Sequence, residues 1–463
     1  MDEDYRIEED SLGAVQVPAD ATWGAQTQRA VENFQISGLT FGRRFIEALG
    51  VVKKAAATAN HELGMIDAEM ADAIIDAADA VIDGEHDDQF PVDVFQTGSG
   101  TSSNMNANEV IARLASEQSG IDIHPNDHVN FGQSSNDVIP TAMHVAALTA
   151  IAEDVLPGLD ALSDALAEKE AEFADLVKTG RTHLQDATPI TLGQEFGGYR
   201  TQIENGIDRV ESAREGLYDL ALGGTAVGTG LNTHEDFAET AAAHIAEAIE
   251  QPVREAPNHF EAQAAHDAMG HAHGALRTVA GSLDKMANDL RLLASGPRNG
   301  LGELDQPENQ PGSSIMPGKI NPVIPEAINQ IHKQVVGNDA AIAAGAASGQ
   351  LELNLYKPVI AHNFLESAKI IGNGSRVFAE RFIAPLDADR AHIAEQVEWS
   401  MAIATALNPH IGYDKAATAA KAALAEEKTV REVVIERGYL SEAEADTVLD
   451  PALMTTPGVL GDD

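Results

Sequence analysis

Residues 312–322, with the sequence GSSIMPGKINP, carry side chains that suit the binding and deprotonation of an anionic molecule. Lys319 is a positive point charge, and Asn321 offers amide donors. Ser313 and Ser314 bind oxygen or, if deprotonated, remove a proton. Two glycines free the backbone and two prolines remove amide donors, so a regular helix is not expected. The segment predicts a lid over an anion; the alternative is a Gly/Pro connector between helices.

Residues 98–108, with the sequence GSGTSSNMNAN, place small hydroxyl and amide side chains around two glycines. The glycines let backbone amides face a ligand, so Ser99 and Thr101 are candidates for binding a carboxylate. The alternative is a polar turn that caps a helix predicted to begin near Asn106, because serine and asparagine favour that position.

Residues 132–140, with the sequence GQSSNDVIP, precede a second predicted helix. The free amides and the positive dipole end of that helix can receive a carboxylate. Ser134, Ser135 and Asn136 are the candidate side-chain donors. Simple capping by Ser135 or Asn136 is the rival interpretation, and the two roles are compatible.

Residues 180–189, with the sequence GRTHLQDATP, place His183 beside Thr182 in a predicted loop between two helices. An imidazole titrates near neutrality and can give or take a proton, although most histidines are surface or satisfied core residues. Glu326 follows the 312–322 segment at the start of the next predicted helix. A carboxylate there would orient an imidazole and raise its proton affinity, but the sequence does not show contact; alone it is a favourable first-turn acid.

Apolar residues recur at steps of three and four from Leu276 onward, which predicts one long helix. Similar patterns run over residues 139–178, 191–222 and 325–382. Strand signals are weak: the first few residues and residues 14–19 can pair briefly, and no alternating run is long enough for a sheet. The predicted fold class is therefore all-α.

Interruptions near Gly132 and Asp387 predict three domains, covering residues 1–132, 133–387 and 388–463. Helices of thirty or more residues that are rich in alanine and poor in aromatics pack closely side by side. A single chain rarely covers all their apolar faces, so oligomerisation is expected.

The composition excludes several classes of protein. The 463 residues carry 73 acidic and 30 basic side chains, a formal charge of -43 that repels nucleic acid and anionic membranes. The absence of cysteine excludes disulfides, zinc thiolate sites, nucleophilic cysteine and iron–sulfur clusters. No apolar run approaches a membrane span, and the acidic start is unlike a signal peptide, which predicts a cytoplasmic protein. So large a spread charge predicts adaptation to molar salt.

The string at 312–322, together with residues 17–34 (VPADATWGAQTQRAVENF) and 408–417 (NPHIGYDKAA), resembles the class II fumarases of the fumarase/aspartase superfamily. The resemblance runs almost from end to end. It implies reversible anti addition of water to fumarate, giving (S)-malate, a step of the tricarboxylic acid cycle, through an aci-carboxylate intermediate. It also implies no metal or organic cofactor, and a central five-helix bundle that builds a homotetramer whose active sites take loops from three subunits.

The resemblance implies roles for individual residues. Ser313 is the candidate base, and His183, backed by Glu326 across a subunit boundary, is the candidate acid. A second anion site is implied at His124, Pro125, Asn126 and Asp127, where a simple turn is the alternative. The substrate-binding residues implied are Ser99, Gly100, Thr101, Ser134, Ser135, Asn136, Thr182, Ser314, Lys319, Ile320 and Asn321.

Two alternatives stay open. Aspartate ammonia-lyases share the GSSxMP loop but typically carry glutamine at His183 and alanine at Gly318, whereas residues 321–330 (NPVIPEAINQ) look more like their version. The superfamily fold has also been reused as a catalytically silent lens protein. The intact Ser313, His183 and Glu326 argue against a silent role.

Overall fold

The computed structural model describes residues 5–460, and most of them are helical. The α-helices are α1 (Ala25–Asn33), α2 (Arg43–Glu62), α3 (Ala68–Ile82), α4 (Thr101–Ser119), α5 (Ser135–Ala150), α6 (Leu156–Glu172), α7 (Leu192–Ala213), α8 (Phe237–Ile249), α9 (His259–Ala264), α10 (Asp267–Leu293), α11 (Val323–Ala346), α12 (Lys357–Phe378), α13 (Arg390–Trp399), α14 (Asn408–Ile411), α15 (Tyr413–Glu426), α16 (Val430–Glu436) and α17 (Glu442–Val448). The mostly helical fold class is confirmed. No helix of this part of the chain is both long and apolar enough to cross a membrane.

The strands are short and form two-stranded pairs. The longer pairs are antiparallel, β1 (Tyr5–Asp10) with β2 (Gly13–Pro18) and β3 (Val177–Thr182) with β4 (Gln185–Thr191). The others are β5 (Asp219–Leu220) with β6 (Arg254–Glu255), and β7 (Leu304–Asp305) with β8 (Asp387–Ala388). The brief pairing predicted near the start of the chain is confirmed from Tyr5 onward; residues 1–4 lie outside the described part.

The chain divides into two compact units, each made of separate segments. The first unit comprises the described residues up to Pro157, with Ile207–Ala280 and Ile331–Asn373. The second comprises Gly158–Gly206, Gly281–Gln330 and the residues from Gly374 onward. The division into three consecutive domains stays a prediction.

The core of the first unit surrounds α2, which packs against α3, α5 and α8. Its apolar face is fully buried, with Phe45, Leu49 and Val52 no more than 1% exposed, and small alanines between them let neighbouring helices approach closely. This packing holds the start of α5, where polar side chains gather, on a rigid support.

The second unit contains a separate apolar cluster in its C-terminal helices. Val430, Val433 and Leu449 are nearly fully buried there. Capping boxes at Thr429 and Ser441 precede α16 and α17, so the local sequence defines where these two helices begin.

Two sequence expectations about regular structure are wrong. The helical pattern over 325–382 is two helices, because α11 ends at Ala346 and α12 begins only at Lys357. The Asn354 side chain donates to the Gly345 carbonyl at 2.9 Å, and Leu351 adopts a left-handed φ of 53°, so the chain turns between them. The pattern over 139–178 also ends early, at Glu172, and β3 follows.

Candidate active site

The N termini of α4 and α5 meet in the first unit. The Thr101 Oγ1 lies 2.7 Å from the Ser135 Oγ, and the Ser99 Oγ lies 2.7 Å from the same Thr101 oxygen. Each helix end presents free backbone amides and a positive dipole. The structure therefore brings together the hydroxyl groups of the two predicted carboxylate-binding segments.

Close backbone approach explains the glycines before α4. A β carbon at residue 98 would lie 2.0 Å from the Leu355 carbonyl oxygen, so only glycine fits. Gly100 is the N-cap of α4 with a φ of 79°, which a side chain rarely tolerates. The expectation that this helix begins near Asn106 is wrong, because it begins at Thr101 and Asn106 is buried inside it.

The start of α5 is organised by Asp137, which the sequence analysis missed. Ser134 is the N-cap, accepting from the Asn136 amide at 3.2 Å, in place of the Ser135 or Asn136 caps considered above. The buried Asp137 carboxylate accepts from the amides of Ser134, Gly223 and Thr225 at 2.9–3.0 Å. Burial raises its pKa to about 6, although these hydrogen bonds oppose the shift.

A cleft of about 440 Å³ opens beside these helix ends, and we call it the α4–α5 cleft. Its polar lining is rich in amides and hydroxyls and carries no carboxylate. It is lined by Gln26, Thr101, Asn104, Met105, Asn126, Asn130, Gly132, Gln133, Ser134, Ser135, Thr225, Ala226, Leu231 and Asn232. Such a lining suits an anion with several oxygen acceptors. Asn136 is held nearby, donating its side-chain amide to the Ala226 carbonyl at 2.7 Å.

The predicted second anion site is a short helical turn, Pro125–Val129, preceded by His124. The His124 Nδ1 accepts from the amides of Asn126 and Asp127 at 3.2 and 3.1 Å, so the imidazole caps the turn. Asn126 lines the α4–α5 cleft, whereas the exposed Asp127 carboxylate lies 3.4 Å from His124. An anion site at this turn stays a prediction.

His183 lies at the tip of the hairpin formed by β3 and β4, which we call the histidine hairpin. The expectation of a loop between two helices is wrong, because Thr182 pairs with Gln185 and leaves a two-residue turn. His183 and Leu184 have φ values of 54° and 60°, a conformation that is uncommon for residues with side chains. Both residues are exposed, so this strained tip presents the imidazole to its surroundings.

A buried ionic cluster anchors the histidine hairpin in the second unit. The carboxylate of Glu303, which is 0% exposed, lies 2.9 Å from the Lys178 Nζ and 2.5 Å from the Arg181 Nη1. These are ion pairs without the alignment of hydrogen bonds. Lys178 also donates to Glu195 at 2.7 Å. Because Lys178 and Arg181 both belong to β3, Glu303 fixes the strand that ends one residue before His183.

We expect Glu303→Gln to destabilise the protein by about 3–5 kcal/mol, since the buried Lys178 and the partly buried Arg181 lose their shared carboxylate and Arg181 has no second one in the described part of the chain. Denaturant unfolding in concentrated KCl measures this effect. The matched control is Asp305→Asn, which removes an exposed carboxylate two residues away and should change stability by less than about 0.5 kcal/mol. Equal stability of the two variants would contradict the anchoring role.

Residues 312–322, which we call the lid segment, contain no helix, as predicted. The half-buried Ser313 is oriented within it: its Oγ accepts from the amides of Ile315 and Met316 at 3.2 and 2.9 Å. The side chains of Ile315 and Met316 are 82% and 51% exposed. Two amide donors therefore converge on one serine oxygen in an exposed segment.

The base of the lid segment is closed by Asn321, whose side chain donates to the Gly312 carbonyl at 2.7 Å. A β carbon at residue 312 would lie 2.2 Å from the Lys319 carbonyl oxygen, so glycine is required there. The Lys319 ammonium donates to the Asn321 side-chain oxygen. A cleft of about 790 Å³ beside it is lined by residues including Lys319, Ile320, Asn321 and Glu326.

Glu326 lies in the first turn of α11, as predicted. Within residues 5–460 of one chain, neither its carboxylate nor the His183 imidazole makes a hydrogen bond or ion pair. The exposed Thr182 and Ser314 side chains likewise bind nothing in this part of the chain. A single chain thus leaves these predicted site residues without partners.

Comparison with known proteins gives a consistent family assignment. A family model described as "Lyase" matches residues 13–337, and one described as "Fumarase C C-terminus" matches residues 403–456. The chain is 72% identical over 469 residues to a protein from Halobacterium salinarum named fumarate hydratase class II, with 100% of both chains covered. It is 54% identical over 457 residues to one of the same name from Nitrosomonas europaea, covering 97% of this chain and 99% of the relative.

Solved structures give the same family as the sequence relatives. A crystal structure of class II fumarase from Schistosoma mansoni is similar with a TM-score of 0.95 and 39% sequence identity, covering 98% of this chain and 100% of that one. Sequence and fold therefore agree over nearly the full length.

Proposed function

This chain belongs to the family of class II fumarate hydratases, and we propose that it interconverts fumarate and L-malate at sites that combine the α4–α5 cleft, the histidine hairpin and the lid segment of different chains of a homotetramer. The reaction is a reversible addition of water, which makes the protein a hydro-lyase acting in the tricarboxylic acid cycle. Its difficult step removes a proton from a carbon next to a carboxylate. The resulting aci-carboxylate needs donors that are already in position.

The observation that carries the mechanism is the pair of amides that donate to the Ser313 oxygen. A serine hydroxyl is a poor base, but two N–H donors stabilise its alkoxide and so lower the cost of deprotonating it. The Ser313 alkoxide, formed when the hydroxyl releases its proton to solvent, then takes the proton from C3 of malate. Lys319 and Asn321, with Ser314 and Ile320 beside them, hold the carboxylate that gains charge.

The α4–α5 cleft binds the other end of the substrate. Ser99 and Thr101 at the start of α4 and Ser134 and Ser135 at the start of α5 offer hydroxyl groups, and Gly100 lets the backbone approach closely. The Asn136 side chain donates one hydrogen to Ala226 and has a second one to offer. Two helix dipoles point at the same place, so a carboxylate is favoured there over a neutral group.

His183 protonates the departing hydroxyl or activates water in the reverse direction, with Thr182 beside it. Its exposed position at the hairpin tip suits pairing with Glu326 of another chain. A homotetramer whose sites combine loops of three subunits supplies that pairing. Exposed apolar side chains on the long helices, such as Val336 and Val377 at 44% and 42%, also favour assembly.

Turnover of purified protein tests this proposal. In about 2 M KCl, where screening is strong, we expect L-malate to raise the ultraviolet absorbance of the fumarate double bond, with and without a chelator. L-Aspartate should give no signal. An absorbance rise with L-aspartate alone would assign the protein to the ammonia-lyases. No rise with either substrate would favour a catalytically silent structural protein.

Salt dependence tests assembly. A charge of -43 per chain repels itself when counterions are diluted, so we expect subunit contacts to weaken below about 0.5 M KCl. Light scattering during dilution measures the mass of the assembly. An unchanged tetramer in dilute buffer would contradict both the halophilic adaptation and its electrostatic cause. A cytoplasmic location stays a prediction.

A further inference from the structure

Two lysines lie buried behind the α4–α5 cleft. Lys53 on α2 and Lys357 at the start of α12 are both 0% exposed. The Lys53 ammonium donates to the side-chain oxygens of Asn130 and Gln133 at 3.1 and 2.9 Å, and the Lys357 ammonium donates to the Asn136 carbonyl at 3.2 Å. Their hydrogen bonds are made to amide and carbonyl oxygens, and among residues 5–460 no carboxylate contacts either ammonium.

Each lysine connects the two segments that build the cleft. The Asn130 oxygen that receives Lys53 also receives the side-chain amides of Asn104 and Asn108 of α4, both at 3.1 Å. Asn130, Gln133 and Asn104 themselves line the cleft, so the Lys53 charge lies one side chain behind its wall. Lys357 binds Gly98 before α4 through its backbone amide and Asn136 of α5 through its ammonium.

The local charge balance favours a bound anion. Asp137 is a buried carboxylate whose charge acts on both lysines, and it already accepts hydrogen bonds from three backbone amides. With all three groups ionised, two positive charges face one negative charge, and a buried cation without a close counter-ion is costly. We propose that Lys53 and Lys357 are positioning residues that supply the counter-charge for the substrate carboxylate bound in the α4–α5 cleft.

Titration gives this role a measurable signature. Burial lowers the pKa of Lys53 and of Lys357 to about 7, with Asp137 opposing the shift in both cases. The neighbouring imidazole of His266, whose pKa lies well below its usual value through burial and the nearby Lys357 and His144, stays neutral. Above pH 7 the empty cleft therefore holds partly deprotonated lysines. A bound dianion raises both pKa values, so binding takes up protons.

Calorimetry with succinate, a dicarboxylate that has no hydroxyl to lose, tests the inference on the assembled protein. Titrations near pH 8 in buffers of different ionisation enthalpy give the number of protons taken up; at that pH Asp137 is already ionised. We expect net uptake by the unmodified protein. Lys53→Met and Lys357→Met should bind succinate about tenfold more weakly or worse and take up fewer protons.

The matched control is Lys54→Met, which removes the next lysine of the same helix, a partly exposed residue paired with Asp79. It should leave affinity and proton uptake unchanged, because proton uptake by any other group is common to all the proteins compared. Equal uptake in the lysine variants, or weaker binding with unchanged uptake, overturns the inference.

Absence of uptake by the unmodified protein overturns the inference as well, and that result requires no variant to fold. The inference rests on the proposed function, because the ligand is taken to be a dicarboxylate. If malate turnover is normal but the lysine variants take up as many protons as the unmodified protein, only the lysine role is contradicted. If the protein neither turns over malate nor binds succinate, both the lysine role and the proposed function are contradicted.

Discussion

Replacing Ser313 by alanine should reduce malate turnover by about a hundred- to ten-thousand-fold, the range that general acid–base groups contribute. The variant loses the oxygen on which the Ile315 and Met316 amides converge, and no other hydroxyl takes its place among those donors. Because the loss falls on the transition state, kcat should fall far more than KM changes. Because the lid segment is largely exposed, the free energy of unfolding of the protein should change little. Initial rates of fumarate formation measure the effect.

Exchange of the C3 hydrogen of malate with deuterium from the solvent isolates the role of the base. The Ser313→Ala variant should lose this exchange together with turnover. Ser348→Ala is a suitable control, since it removes an exposed serine that only caps the Ala344 carbonyl. Exchange that survives in Ser313→Ala would assign the proton transfer to another group, even if turnover were lost.

Replacing His183 by asparagine should reduce turnover by about a hundredfold or more, because the hydroxyl then departs without a proton donor. The prediction for C3 exchange is the opposite of that for Ser313. Proton removal at C3 does not require His183, so exchange should continue while elimination stops. Loss of both processes to the same degree would show that His183 does not act on the leaving group alone.

The two inactive variants also test how sites are shared. If Ser313 and His183 of one site come from different chains, mixed tetramers of the two variants contain some intact sites. Random assortment restores about a quarter of the sites, and activity should return to that order when the variants assemble together. Mixing that restores nothing would contradict shared sites, provided that light scattering confirms mixed assembly.

The helical fold was predictable because its signals are local and long. The repeat of apolar residues from Leu276 is the buried stripe of α10, and the Gly/Pro composition of residues 312–322 did exclude a helix. The histidine hairpin was missed because its turn carries His183 and Leu184, where a two-residue hairpin normally carries asparagine and glycine. Tertiary support holds that turn, and no local pattern reports it.

The buried charges were missed for a different reason. Lys53 and Lys54 are neighbours in a run of alanines and valines, yet the first is fully buried and the second is 39% exposed. Successive residues of a helix point about 100° apart, so the orientation of α2 in the fold decides which one is buried. Asp137 and Glu303 were missed for a related reason. Their residue types are visible in the sequence, but their partners include residues of distant segments.

The histidine hairpin also bears on how this protein can be stabilised by engineering. Leu184, exposed and held at a φ of 60°, is a position where glycine would relieve backbone strain at little cost in packing. Such a change would gain thermal resistance while widening the range of orientations open to His183. At the tip of the hairpin, thermal stability and a fixed orientation of the imidazole therefore oppose each other. A screen that measures stability without turnover would select variants with lower activity.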